Sequence, residues 1–174
     1  MLSVKKSILP NDAFLQFYLK SGAYTDCYVT QVKGNVSLQA FVLSFYTTWI
    51  FKLERVILKW LVAKPSTDQQ AQQLSTGKIE LFAAWRVERR DQTQLLMCDF
   101  QQRTRSWLMV ESLTIDDEPQ TYLYFGSAVV AAKGDKRKSL MSKLAFCTLF
   151  YFHKIYSQVL LYSAKSRISQ LIKG

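Results

Sequence analysis

The chain is short of the residues that staple, ligate or punctuate proteins. Its three cysteines, Cys27, Cys98 and Cys147, stand far apart and odd in number, which argues against a disulfide framework and offers no zinc pair. A reducing compartment fits that usage. His153 is the only histidine, and the sequence identifies neither a nucleophile nor an orienting acid to join it in a triad. No Gly-rich loop offers to cradle a phosphate, and no cluster of His, Cys or carboxylates has ligand spacing, so no metal or cofactor is expected. Six glycines and three prolines leave little material for linkers, and 174 residues suit one domain, 1–174. The opening Met1–Lys6 lacks the basic-then-apolar order of a signal peptide, so a cytoplasmic protein is expected.

What is present is apolar and basic. Hydrophobic residues make up 49% and aromatics 14%, which excludes disorder and implies either a large core or a cavity lined with rings. Lys and Arg outnumber Asp and Glu by 23 to 13, with much of the excess in Lys133–Lys138, Lys143, Lys165, Arg167 and Lys173. Such an excess suits an anionic partner, peripheral contact with an anionic membrane, or simple solubility. Nucleic acid is not the expected partner, because no recognition motif accompanies these charges and the aromatics fall at core spacing.

Periodicity then orders the chain. Asn11 and Asp12 are placed to cap a short helix over Ala13–Lys20, and Tyr24–Val32 alternates as an edge strand with Tyr24, Asp26, Tyr28, Thr30 and Val32 on one face. From Ser37 to Val62 the period is helical, with Val42, Leu43, Tyr46 and Ile50 on one side and Ser37, Ser44, Thr48 and Lys52 on the other, and with room for a bend near Thr47-Thr48. Pro65 stops this helix, Ser66-Thr67-Asp68-Gln69 starts a polar one through Leu74, and Gly77 releases the chain. Four strands follow, Phe82–Arg90, Leu95–Phe100, Thr104–Thr114 and Thr121–Ala131, joined by polar turns short enough for antiparallel hairpins. Ser139–Leu171 reads as one long helix with Met141, Ala145, Leu149, Phe152, Tyr156, Val159 and Ser163 inward. Cys147, Phe150 and Leu161 lie on its otherwise polar side, available to a second subunit in a homodimer or to a membrane. A bilayer span over Leu144–Ala164 is the competing reading, but Lys154 sits in mid-segment and the meander needs a helix to cover it.

The predicted fold class is therefore α+β, an antiparallel sheet of about five or more strands packed on a long C-terminal helix. This order of elements resembles the START-like superfamily, also called helix-grip or Bet v 1-like. Ala23–Tyr28, Phe45–Thr48 with Phe51–Arg55, Cys98–Phe100 and Arg103–Trp107 are similar to a bacterial branch of it. The resemblance implies a curved sheet around the last helix, a hydrophobic cavity between them, and binding of lipids, sterols, polyketides or other apolar molecules. It also implies relatives with cyclase or aromatase activity, although larger members carry seven strands where five are counted in this sequence.

An apolar or amphipathic small molecule is the expected partner, held without catalysis. Strand and helix faces nominate Trp85, Trp107, Tyr122, Tyr124, Phe152 and Tyr156 as cavity-lining residues. Asp99 and Arg105 are expected to pair across a hairpin, with Arg105 anchoring a ligand's polar head or, alternatively, bracing a turn. Gly126 is expected to mark a bulge that curves the last strand. A cyclase- or hydratase-like enzyme and a basic-surface interaction domain remain as alternatives.

Overall fold

The computed structural model describes residues 4–52, 66–130 and 140–173, and within the last helix the side chains of residues 156–172. Seven strands form one open antiparallel sheet: β1 (Lys5–Lys6), β2 (Tyr24–Lys33), β3 (Leu81–Phe82), β4 (Trp85–Arg90), β5 (Gln94–Asp99), β6 (Thr104–Ile115) and β7 (Glu118–Val129). Their order across the sheet is β1-β2-β7-β6-β5-β4-β3. Four helices accompany them among the described elements: α1 (Gln16–Lys20), α2 (Leu38–Tyr46), α3 (Asp68–Ser75) and α4 (Leu140–Lys173). The architecture is α+β. Among the described residues no helix is long and apolar enough to cross a membrane.

Local chemistry sets the helix ends. The Ser37 side chain accepts from the Ala40 amide and starts α2. Thr47 and Thr48 then turn their hydroxyls back to the carbonyls of Leu43 (2.6 Å) and Phe45 (2.9 Å), ending the helix. Thr48 Oγ1 also accepts from the Phe51 amide at 3.2 Å, so the same residue caps the helical turn at 49–52. The bend expected at Thr47-Thr48 is present, but Ser44 and Thr48, assigned to the polar side, are buried. The rest of that expected helix, 53–62, and Pro65 lie outside the described residues.

Thr67 and Gln70 form a reciprocal capping box at the start of α3. At its end Gly77 adopts φ +75°, letting the amides of Gly77 and Lys78 reach back to Leu74 and Gln73. The Arg90 guanidinium donates to the Leu74 carbonyl at 2.5 Å, placing positive charge at the negative end of the helix dipole. The cap expected from Asn11 and Asp12 is not formed: α1 begins at Gln16 behind Leu15, with no side-chain cap.

Two sheet features depart from the expected strand count. Phe82–Arg90 is a hairpin, not one strand, because the chain reverses at Ala83 (φ 52°) and Ala84, pairing Phe82 with Trp85. The two-residue β1 pairs with β2, so β2 has neighbours on both sides and is not the edge. The β6–β7 hairpin turns on Asp116 and Asp117, both at positive φ, which matches the right-handed twist of long strands. Gly126 sits in an unshifted ladder; the bulge falls between Val87 and Arg89.

The sheet is covered on both faces. Tyr28, Val32, Leu95, Met97, Leu108, Val110, Leu123 and Phe125 pack with α2, α3 and α4. Cys27, Leu96, Trp107, Met109, Tyr124 and Ala128 point the other way and pack under Leu9–Tyr18, an N-terminal strap that runs into α1. The buried side of α4 is Ser157, Leu160, Leu161, Ala164 and Ile168, so Leu161, at 0% exposure, is core and not a docking surface. The side chains of Met141, Cys147, Leu149, Phe150, Phe152 and His153, and residues Lys133–Lys138, lie outside the described part of the structure.

Candidate functional site

On the helix-facing surface of the sheet, side chains fall in rows across neighbouring strands, because directly paired residues point to the same face. One row is Tyr28, Phe125, Leu108 and Leu95, fully apolar apart from the tyrosine hydroxyl. Beside it the rings of Phe41, Phe45, Tyr46, Phe51, Phe82 and Phe125 meet at centroid distances of 4.8–6.4 Å and fill the space under α2. The next row is different in kind: Asp26 on β2, Ser127 on β7 and Ser106 on β6, followed by Met97 on β5.

All three polar members of that row are buried, Asp26 at 5% exposure. Asp26 Oδ1 accepts from the Ser127 hydroxyl at 2.6 Å and from the Ser127 amide at 3.1 Å. Asp26 Oδ2 is buried and receives no hydrogen bond from a described residue. Asp26 is one cause of raised pKa values in three neighbouring groups. Tyr24, on the same face, is pushed up to about 12, first by burial and then by Asp26. Tyr28 is raised by the same two causes, and Cys27, one position along on the opposite face, is pushed up to about 12 by burial and then by Asp26.

The position of α4 locates the row along the sheet. Gln158 lies close enough to the Tyr28 hydroxyl to oppose the rise in its pKa, and a side chain at Gly34 would touch Ile172, so α4 and β2 run alongside each other. Asp26 stands two positions before Tyr28, roughly 7 Å back along the strand, toward the N-terminal half of the helix.

The sequence-nominated residues divide between the two faces. Trp85 and Tyr156 pack against the helix-side core. Trp107, Tyr122 and Tyr124 lie on the opposite face under the strap, where the Trp107 indole donates to Gln94 Oε1 (2.9 Å) and the Tyr124 hydroxyl to Glu111 (2.8 Å). The Phe152 side chain lies outside the described residues. Asp99 and Arg105 do not pair. Asp99 Oδ1 accepts from the amides of Arg103 (2.7 Å) and Thr104 (3.1 Å) and closes the β5–β6 turn. Arg105 Nε instead contacts Glu88 at 3.0 Å and the Tyr18 hydroxyl at 2.9 Å, with its guanidinium 4.7 Å from the Tyr18 ring centroid. Tyr18 also hydrogen-bonds Glu88, and burial, then that carboxylate, pushes its hydroxyl up to about 12.

Asp26 and Ser127 were missed as a site, although alternation put Asp26 on one face with Tyr28 and Val32. A carboxylate sharing a face with core residues was the available signal. Elsewhere, an open hollow of about 340 Å³ is lined by Lys5, Gln31, Val32, Lys33, Gln120 and Lys165, and another of about 330 Å³ by residues that include Trp49, Tyr162 and Arg167. Among the described residues no group of His, Cys, Asp and Glu could hold a metal ion. No protein-family model matches this chain, and no curated protein matches it.

Proposed function

We propose that the chain is a helix-grip domain of the START-like kind that holds a hydrophobic or amphipathic small molecule between the helix-facing surface of its sheet and α4. The order of elements supports this reading: a long strand beside β7, helices, five successive antiparallel strands and a closing helix. The observation that carries it is the row Asp26, Ser127 and Ser106. Apolar side chains at these positions would bury more hydrocarbon and leave no carboxylate oxygen unmatched, so a structural core alone gives no reason for the row. A bound molecule gives one.

In this reading the apolar body lies toward Met97, Trp85 and Tyr156, and each Å² of buried hydrocarbon contributes roughly 25 cal/mol before ordering costs. The protein acts by binding, in the cytoplasm. The free thiols of Cys27 and Cys98 are buried and hold their protons, which suits a reducing compartment and not nucleophilic chemistry. Native mass spectrometry of freshly purified protein, followed by organic extraction, tests the proposal. A discrete adduct that moves into the organic phase is expected. Protein at its sequence mass alone, together with no saturable binding of a fatty-chain fluorophore at micromolar concentration, would overturn it.

A further inference from the structure

Asp26 Oδ2 restricts what that molecule can be. A carboxylate accepts hydrogen bonds through about four lone-pair sites and donates none when ionised. Among the described residues two donors converge on Oδ1, both from Ser127, and none reaches Oδ2. Asp26 forms no ion pair with a described residue, although the chain carries 23 Lys and Arg. Leaving one oxygen of a charged group buried and unmatched is expensive, and folding gains nothing from it.

We infer that Asp26 is the polar recognition point of the ligand site, and that it selects an amphiphile whose head donates hydrogen bonds, an amine in particular, over one whose head is a carboxylate. The inference rests on the proposed binding between sheet and helix and adds the class of head group. An ammonium head supplies up to three donors and a charge opposite to that of Asp26, whereas a carboxylate head brings like charge and no donor. Ser106, in the same row, adds a hydroxyl that can turn toward either a donor or an acceptor, so it helps hold the head without reversing the preference, while the Ser127 hydroxyl stays on Asp26 Oδ1.

The charge of the whole chain makes the test demanding. At +10 the protein's field attracts acids and repels amines, so a preference for the amine has to arise at the site itself. Three probes of equal chain length, dodecylamine, dodecanol and dodecanoate, are titrated into the full chain below their aggregation thresholds and followed by calorimetry at constant salt. Dodecylamine is expected to bind at least tenfold more tightly than dodecanoate, and Asp26→Asn to bring the two within threefold. Asparagine retains an oxygen for the Ser127 donors; should the variant unfold, the wild-type ranking decides alone. Equal affinities, or tighter binding of dodecanoate, would overturn the inference while leaving the binding function standing, with an ordered water as the partner of Oδ2. If none of the three binds, the binding function falls and the inference with it.

Discussion

Arg105 lies 3.0 Å from Glu88 and stacks over Tyr18, joining β6, β4 and the N-terminal strap on the face of the sheet turned away from α4. The guanidinium is only 10% exposed at its side chain and Glu88 28%, so the pair is only weakly screened by solvent. Arg105→Met is expected to lose hydrogen bonds to a charged group worth about 1.5–3 kcal/mol and to speed amide exchange in Gln16–Lys20. Because this network and the proposed site occupy opposite faces, the affinity for dodecylamine is expected to stay within twofold. Weaker ligand binding in a folded Arg105→Met variant would contradict that separation.

Gln94 makes the second fastening of the strap. Its Oε1 accepts from the Phe14 amide (3.0 Å) and the Trp107 indole (2.9 Å), and its Nε2 donates to the Asp12 carbonyl. Gln94→Ala strands both donors in a buried setting, at roughly 1–3 kcal/mol for each. Denaturant melts measure the loss, and a red-shifted indole emission is expected as water reaches Trp107. An unchanged midpoint would show that the strap is held without it.

At Gly126 the strap approaches the sheet closely. A methyl group there would stand 2.8 Å from Leu15 Cδ1, 2.9 Å from the Asp26 carbonyl oxygen and 2.9 Å from the Trp107 ring. Two of these neighbours have little room to yield, since one is backbone and the other a fully buried indole. Gly126→Ala is expected to destabilise the fold by about 1–3 kcal/mol in urea melts, by overpacking. A neutral or stabilising result would mean that the strap detaches without cost.

Alkaline pH is expected to weaken the fold through the buried Cys27 and Tyr18 and the half-buried Tyr24. Burial, the largest of the causes, moves Cys27 from 9.0 to about 12 and Tyr18 and Tyr24 from 10.0 to about 12. Each binds its proton more tightly folded than unfolded, so the stability they contribute is complete below about pH 9 and is lost as the pH rises toward 12. Urea midpoints measured from pH 8 to pH 11.5 are expected to fall above pH 9, and to fall less in Tyr18→Phe. A flat profile would contradict the burial of these groups.

Much of this fold was legible because it rests on local chemistry. The start of the polar helix at Ser66–Gln69, the bend at Thr47-Thr48, the two faces of β2 and the polar turns between β4 and β7 all follow from neighbours in sequence. The β3–β4 hairpin was not, since its turn is two alanines with no Gly, Asn or Asp to mark it. The inward side of α4 was misplaced at Leu161 because apolar residues ring that helix, and only contact with β2 and α2 chooses among them.

The candidate site depended on register, which is non-local. Spacing suggested Asp99 with Arg105, but the ladder sets Cys98 against Arg105 and Trp85 against Asp99, one residue out of step and so on opposite faces. Asp26 and Ser127 are 101 residues apart, and no spacing argument joins them.

An amide and indole NMR titration with dodecylamine tests the central claim most directly, because it reports which face of the sheet the ligand touches. The account predicts saturable shifts at Asp26, Ser106, Ser127 and the Trp85 indole, with the Trp107 indole and Gln16–Lys20 unmoved. Shifts concentrated at Trp107, Tyr18 and the strap, with Asp26 and Ser127 silent, would contradict it.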